Sequence, residues 1–196
     1  MMKRALMLLA AVALVVVLVI GLTQAGGSDT AEKEGGGFDL AQAQRDLNGA
    51  PAPLASLHEQ SNQLLEGGPK AFDARLAELR GHPVVINKWA SWCGPCRAEF
   101  PIFQKVATER GKAIAFVGVN ARDKRPAAER FAKQFPVPYP SYEDDGEDIA
   151  RAIKAPSNFP VTLFVDADGK TVFTHQGGYR SAADLNADVE KYLGGS

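Results

Sequence analysis

The chain contains two cysteines, Cys93 and Cys96, separated only by Gly94 and Pro95. A pair so spaced can ligate a metal, staple a structure or exchange electrons as a dithiol and disulfide. A zinc site needs four ligands. The three histidines, His58, His82 and His175, are scattered, so no metal is expected. A structural disulfide would close so short a loop that it removes little entropy from the unfolded chain. Redox exchange is the better reading. Cys93 would attack a substrate disulfide as thiolate, and Cys96 would then attack Cys93 and release the reduced substrate. The sulfurs carry this chemistry themselves, and no cofactor is called for.

The elements around the pair favour that chemistry. Val84, Val85 and Ile86 form a β-branched run suited to a buried strand. Gly94 and Pro95 turn the chain, and the residues from Cys96 onward suit a helix. The cysteines therefore sit where a strand meets a helix N-terminus. Unpaired N–H groups and the helix dipole stabilise negative charge there. Cys93 is expected to be more acidic than a free cysteine, each unit being about 1.4 kcal/mol in favour of the thiolate. Cys96, a turn further in, is expected to be more buried. Glu99 lies three residues beyond Cys96 on the same helix face. If buried, its pKa would rise and it could take the proton of Cys96; the alternative is a solvated surface acid. Lys88 interrupts the apolar strand, either to tune the thiolate or to snorkel. Trp89 and Trp92 read as apolar walls beside the pair, as core packing, or as both.

W-C-G-P-C, with Trp89 upstream and a later Xaa-Pro before a strand, resembles thioredoxin. The extension R-A-E-F-P after Cys96 is closer to the TlpA/ResA-like branch of membrane-tethered thiol-disulfide oxidoreductases. The resemblance covers roughly Gly81 to Leu193. Asn87 stands where thioredoxin has a buried aspartate and cannot ionise; the resemblance implies that Glu99 takes over its proton transfer, the alternative being that resolution relies on water. It implies a cis peptide before Pro160, with the backbone of Phe159 pairing with an extended substrate. Trp92, Gly94, Pro95, Phe159 and Pro160 would form the docking surface, and the bulk of Phe159 would narrow the substrate range. Implied partners are disulfide-containing exported proteins, apocytochrome c among them, and a membrane thiol-disulfide relay that supplies electrons. Gly94-Pro95 matches the reducing thioredoxin pattern. A disulfide-forming oxidant of the same fold remains an alternative, as does a tethered binding domain whose disulfide is not turned over. A peroxiredoxin is a weaker reading, because peroxide chemistry does not need this helix turn.

The N-terminus bears on compartment. Lys3 and Arg4 precede an apolar run from Ala5 to Leu22, 18 residues, or about 27 Å as a helix. That is near the lower limit for a bilayer span and longer than a usual signal-peptide core. An uncleaved anchor is favoured, although Thr23-Gln24-Ala25 is a weak cleavage pattern. Positive charge before the run keeps the N-terminus in the cytoplasm and places the rest outside the membrane. No cysteine follows the run for lipid attachment. Apolar residues make up 45% of the 196-residue chain and the net charge is −1. No basic excess points to nucleic acid.

The expected fold class is α/β: a thioredoxin-like mixed sheet flanked by helices, with a strand-helix insertion and an N-terminal transmembrane helix before it. Residues 1–22 read as anchor, 23–50 as a Gly-rich tether of about 30 Å reach, and 51–196 as the domain. Phe38 to Leu47 reads as a transient helix within the tether. Leu54, Leu57, Ser61, Leu64 and Leu65 form a helical stripe over Pro53 to Leu65, and a second helix follows from Pro69 to Gly81. Both would cover the sheet, where the family often has a short hairpin. A helix to about Arg110 contains Pro101, which should kink it. A strand over Lys112 to Asn120, a helix over Pro126 to Gln134 and an extended connection over Pro136 to Ser141 come next. Asp144 to Ala155 reads as an acidic turn with a short helix around Ile149 to Ile153. Val161 to Asp166 and Thr171 to His175 form a hairpin about Asp168-Gly169. A last helix, capped by Ser181, runs to about Leu193.

Overall fold

The computed structural model describes residues 37–194. The expected anchor over residues 1–22 lies outside them. Among the described residues no helix is long and apolar enough to cross a membrane.

A six-stranded mixed sheet forms the centre. Its strands are β1 (Leu64–Leu65), β2 (Val84–Trp89), β3 (Ala115–Ala121), β4 (Ser141–Asp144), β5 (Val161–Val165) and β6 (Thr171–Gln176). Their spatial order is β1-β4-β3-β2-β5-β6. The first four in that order run parallel, and β5 and β6 are antiparallel additions. Every residue of β2, β3 and β5 is buried, as strands covered on both faces require. Among the described residues seven helices flank the sheet: α1 (Leu40–Asp46), α2 (Ala52–His58), α3 (Gly68–Glu78), α4 (Gly94–Arg110), α5 (Arg125–Gln134), α6 (Asp148–Ala152) and α7 (Ala182–Leu193).

Side-chain alternation along β2 splits the interior in two. Val85 and Trp89 join Phe100, Phe103 and Val106 of α4 with Leu185 and Val189 of α7. Val84 and Ile86 join Leu54 and Leu57 of α2 with Phe72 of α3 and its C-cap Leu79 on the other face. Polar side chains cap the starts of α6 and α7: Ser181 Oγ accepts the N–H of Asp184, and the Asp144 carboxylate accepts those of Ile149 and Ala150.

Three expectations need correction. The stretch Phe38 to Leu47, expected as a transient helix within a tether, holds α1, which is capped by Asp39 and has Ala43 and Leu47 buried, where a tether would leave them in water. The helix expected over Pro53 to Leu65 stops at His58. Asn62 adopts a left-handed backbone (φ 60°) and its amide N–H donates to the carbonyl of Tyr139, which turns Leu64 and Leu65 into an edge strand beside Ser141 and Tyr142. The leucine stripe thus serves two elements. The extended connection ends in β4, a true strand paired with both β1 and β3. The hairpin and α7 lie where expected. Helix α4 runs through Pro101 without interruption.

Candidate active site

Cys93 occupies the N-cap of α4 with an extended backbone, and its Sγ accepts the N–H of Cys96 at 3.1 Å. A sulfur stands where Ser or Asp ordinarily satisfies the first turn, so negative charge on it would meet an N–H and the helix dipole together. The two cysteines are joined by a disulfide. Cys93 retains 4% exposure and Cys96 none, the order expected of an attacking and a resolving sulfur. Gly94 and Pro95 form the exposed first turn of the helix.

The approach to the pair is held by a residue that sequence reading missed. Asp123 is buried, and its carboxylate accepts the backbone N–H and hydroxyl of Ser91, the amide of Asn120 and the N–H of Lys124. It ties the turn before Trp92 to the end of β3. Nothing in the local pattern A-R-D-K-R separates it from surface charge.

Glu99 is fully buried, which removes the surface-acid reading. Asn87 Nδ2 donates to its Oε1 at 2.8 Å and the N–H of Tyr179 to its Oε2 at 3.2 Å. Burial pushes its pKa from 4.5 up to about 7, and these two hydrogen bonds oppose the rise only in part. Asn87 thus contacts the carboxylate that does ionise. A further acceptor, Asn87 Oδ1, and the hydroxyls of Tyr139 and Thr162 are buried without a protein partner. Loop residue Gly178 closes over this region: a Cβ there would lie 3.3 Å from the carbonyl of Pro95 and 3.7 Å from Glu99 Oε2. Tyr179, unassigned from sequence, is the other half of that cover.

The two tryptophans have different roles. Trp89 is a core residue, stacked on Phe131 and hydrogen-bonded through Nε1 to Ser141 Oγ, and it walls nothing outside. Trp92 is 57% exposed. Its Nε1 donates to the carbonyl of Arg122 at 2.8 Å, and its ring meets that of Phe159 at 5.0 Å. The Phe159–Pro160 peptide is cis. Trp92 and Phe159 therefore form one aromatic ledge. Lys88 does not approach the cysteines from the Asn87 side. It points to the opposite face of β2, beneath the ring of Phe159.

A family model described as Redoxin matches residues 47–192. The thiol:disulfide interchange protein DsbE of Yersinia pestis is 32% identical over 170 residues, which cover 82% of each chain. The thiol-disulfide oxidoreductase ResA of Halalkalibacterium halodurans is 27% identical over 130 residues, covering 66% of this chain and 73% of that one. A secreted Mycobacterium tuberculosis disulfide oxidoreductase homologous to E. coli DsbE superposes with a TM-score of 0.53 at 27% identity, over 59% of this chain and 85% of that one. The chain belongs to the Redoxin family and is a TlpA/ResA-like thiol-disulfide oxidoreductase with a thioredoxin fold.

Proposed function

We propose that this oxidoreductase is an exported, membrane-tethered reductant of disulfides in other exported proteins, with apocytochrome c as one substrate. The observation that carries the reading is the Cys93 sulfur at the N-cap of α4, ahead of a resolving sulfur and a carboxylate that are both fully buried. The apolar run Ala5 to Leu22 behind Lys3 and Arg4 supports the tether and the extracytoplasmic side.

The cycle starts from the dithiol. The Cys93 thiolate attacks one sulfur of a substrate disulfide; a Cys93–substrate disulfide forms and the displaced substrate thiolate takes a proton. Glu99, as carboxylate, takes the proton of the Cys96 thiol. The Cys96 thiolate then attacks Cys93 Sγ, the Cys93–Cys96 bond forms and the second substrate sulfur leaves as thiolate. Two electrons have moved to substrate, and a membrane thiol relay returns them by the same exchange in reverse. The ledge of Trp92 and Phe159, with Gly94, Pro95 and Pro160 beside it, receives the substrate chain, and the backbone of Phe159 pairs with it in extended form.

Trapping tests the reading. A Cys96→Ser variant should accumulate mixed disulfides through Cys93 with exported proteins, reversed by reductant and absent from Cys93→Ser. An empty trap would favour a binding domain with an idle disulfide. Equilibration of the pair with glutathione sets its direction: a pair more reducing than the exported pool supports the reductant, and a strongly oxidising pair refutes it.

A further inference from the structure

Lys88 stands in a place that asks for an apolar side chain. In the register of the sheet it lies between Val119 of β3 and Val161 of β5. Val84 and Ile86 precede it on the same face of the same strand, in a cluster with Val117, Val119 and Leu163. Its own exposure is nil. A buried ion is costly to desolvate, and an apolar residue of similar volume is often as stable or more so. Packing therefore does not explain the lysine.

Its contacts do. Lys88 Nζ donates to the carbonyl of Pro156 at 2.5 Å, lies 4.1 Å from the centre of the Phe159 ring and 3.6 Å from Glu147 Oε1. Pro156 and Phe159 belong to the loop that leads into cis-Pro160, and Glu147 is the N-cap of α6. Burial draws the ammonium's pKa down and the Glu147 carboxylate acts against that. Glu147 Oε2 also faces Arg122 Nε at 3.8 Å. The carbonyl of Arg122 accepts the indole N–H of Trp92, whose ring returns to Phe159. The contacts thus close a circuit around the aromatic ledge. Two of its members, Arg122 and Glu147, hold left-handed backbones at φ 52° and 59°, a conformation unfavourable to a non-glycine residue.

We propose that Lys88 is a positioning residue for substrate docking: from inside the core it fixes the loop Pro156–Pro160 and the Phe159 ring against the substrate's path, and links that edge to Glu147. The inference rests on the reading of Phe159 and Pro160 as the docking edge. Lys88 touches no substrate and no sulfur; it sets how well the ledge is formed before a substrate arrives.

The test uses reduced protein oxidised in a single turnover by a synthetic peptide with one intramolecular disulfide, at varied peptide concentration. Lys88→Met keeps the length and removes the charge. Its half-saturating concentration should rise about fivefold, roughly 1 kcal/mol of lost docking. The maximal rate and the glutathione equilibrium of the pair should stay within about twofold. Glu147→Gln should raise half-saturation by about two- to threefold. Phe159→Ala, which removes the ledge itself, serves as control and should raise it at least as much as Lys88→Met. If Phe159→Ala raises half-saturation and Lys88→Met does not, the role of Lys88 is overturned and the docking edge stands. If Phe159→Ala changes nothing, the docking edge fails and the role of Lys88 with it. A shift in the glutathione equilibrium or in maximal rate alone would place Lys88 in the sulfur chemistry and overturn the proposal. Should Lys88→Met not fold, Glu147→Gln decides: no rise in its half-saturation overturns the proposal.

Discussion

Replacing Glu99 by glutamine removes one ionisation and almost no volume, so its effect on pH dependence can be worked out in advance. The carboxyl titrates near 7 in the folded protein, and its ordinary value is 4.5. Between those values the folded state binds more proton than the unfolded one, so stability falls as pH rises. The sign is opposite to that of a salt-bridged carboxylate. The difference of about 2.5 units corresponds to about 3 kcal/mol, absent below pH 4.5 and complete above pH 7. Urea denaturation of the oxidised protein and of Glu99→Gln, at pH 4 and at pH 8, measures it. Other shifted groups, such as Asp144 and Glu143, titrate in both proteins and cancel in the comparison. The variant should gain about 3 kcal/mol relative to the wild type on going from pH 4 to pH 8, whatever its offset at pH 4. The offset itself is set by hydrogen bonding. Asn87 Nδ2 can still donate to the new carbonyl, whereas the N–H of Tyr179 loses an acceptor if the new NH2 faces it. A relative change below about 1 kcal/mol, or one of opposite sign, would refute the view that Glu99 is held near neutrality by burial. The same ionisation should appear in kinetics. Resolution of the mixed disulfide should lose its rate limb near pH 7 and slow by about 10²-fold, the usual worth of a placed base. An unchanged profile would leave Glu99 a structural acid.

Two further substitutions probe what holds the site in place. Asp123→Ala strands the N–H and hydroxyl of Ser91 in a partly buried turn; it should cost about 2–3 kcal/mol in urea denaturation, and an effect under about 0.5 kcal/mol, typical of surface charge, would contradict the anchoring role. Gly118→Ala would put a Cβ 2.0 Å from Ser141 Oγ and 3.1 Å from Trp89 Nε1; displacing that hydrogen-bonded pair should cost about 1–3 kcal/mol by overpacking, seen as a lower denaturation midpoint at unchanged slope.

Much of the active centre was legible because its signals are local. Cysteine spacing, the β-branched run and the helical pattern after Cys96 are each contained within a few residues, and the structure assembles them in one strand, one turn and one helix. The edge of the sheet was not, because its cause is distant. Leu64 and Leu65 leave the helical register only because the N–H of Asn62 finds the carbonyl of Tyr139, and the side chain of Asn62 donates to the carbonyl of Ala132, 70 residues along the chain. No window around Pro53 to Leu65 contains either partner. Helix α1 was underestimated for a similar reason. Its composition is polar, and it is ordered by burying Ala43 and Leu47 and by contact with α4. Propensity is a weak guide where so few side chains decide the outcome.

In the proposed cycle, Asn87 and Lys88 would let one strand serve two ends of the reaction. Successive side chains of a strand point to opposite faces. Asn87 reaches Glu99, one turn beyond Cys96, while Lys88 reaches Phe159 on the far side of the sheet. In sequence both look like polar faults in a buried strand. Each instead meets a distant residue, Glu99 or Phe159, that only the pleat brings within range. In the proposed cycle, proton transfer at Cys96 and docking at Phe159 would thereby be set by neighbouring positions on separate faces. Changes at Asn87 should accordingly move the pH profile of resolution, and changes at Lys88 should move half-saturation. A polar residue in an apolar strand is therefore best read by asking which face it occupies and what the topology brings to that face.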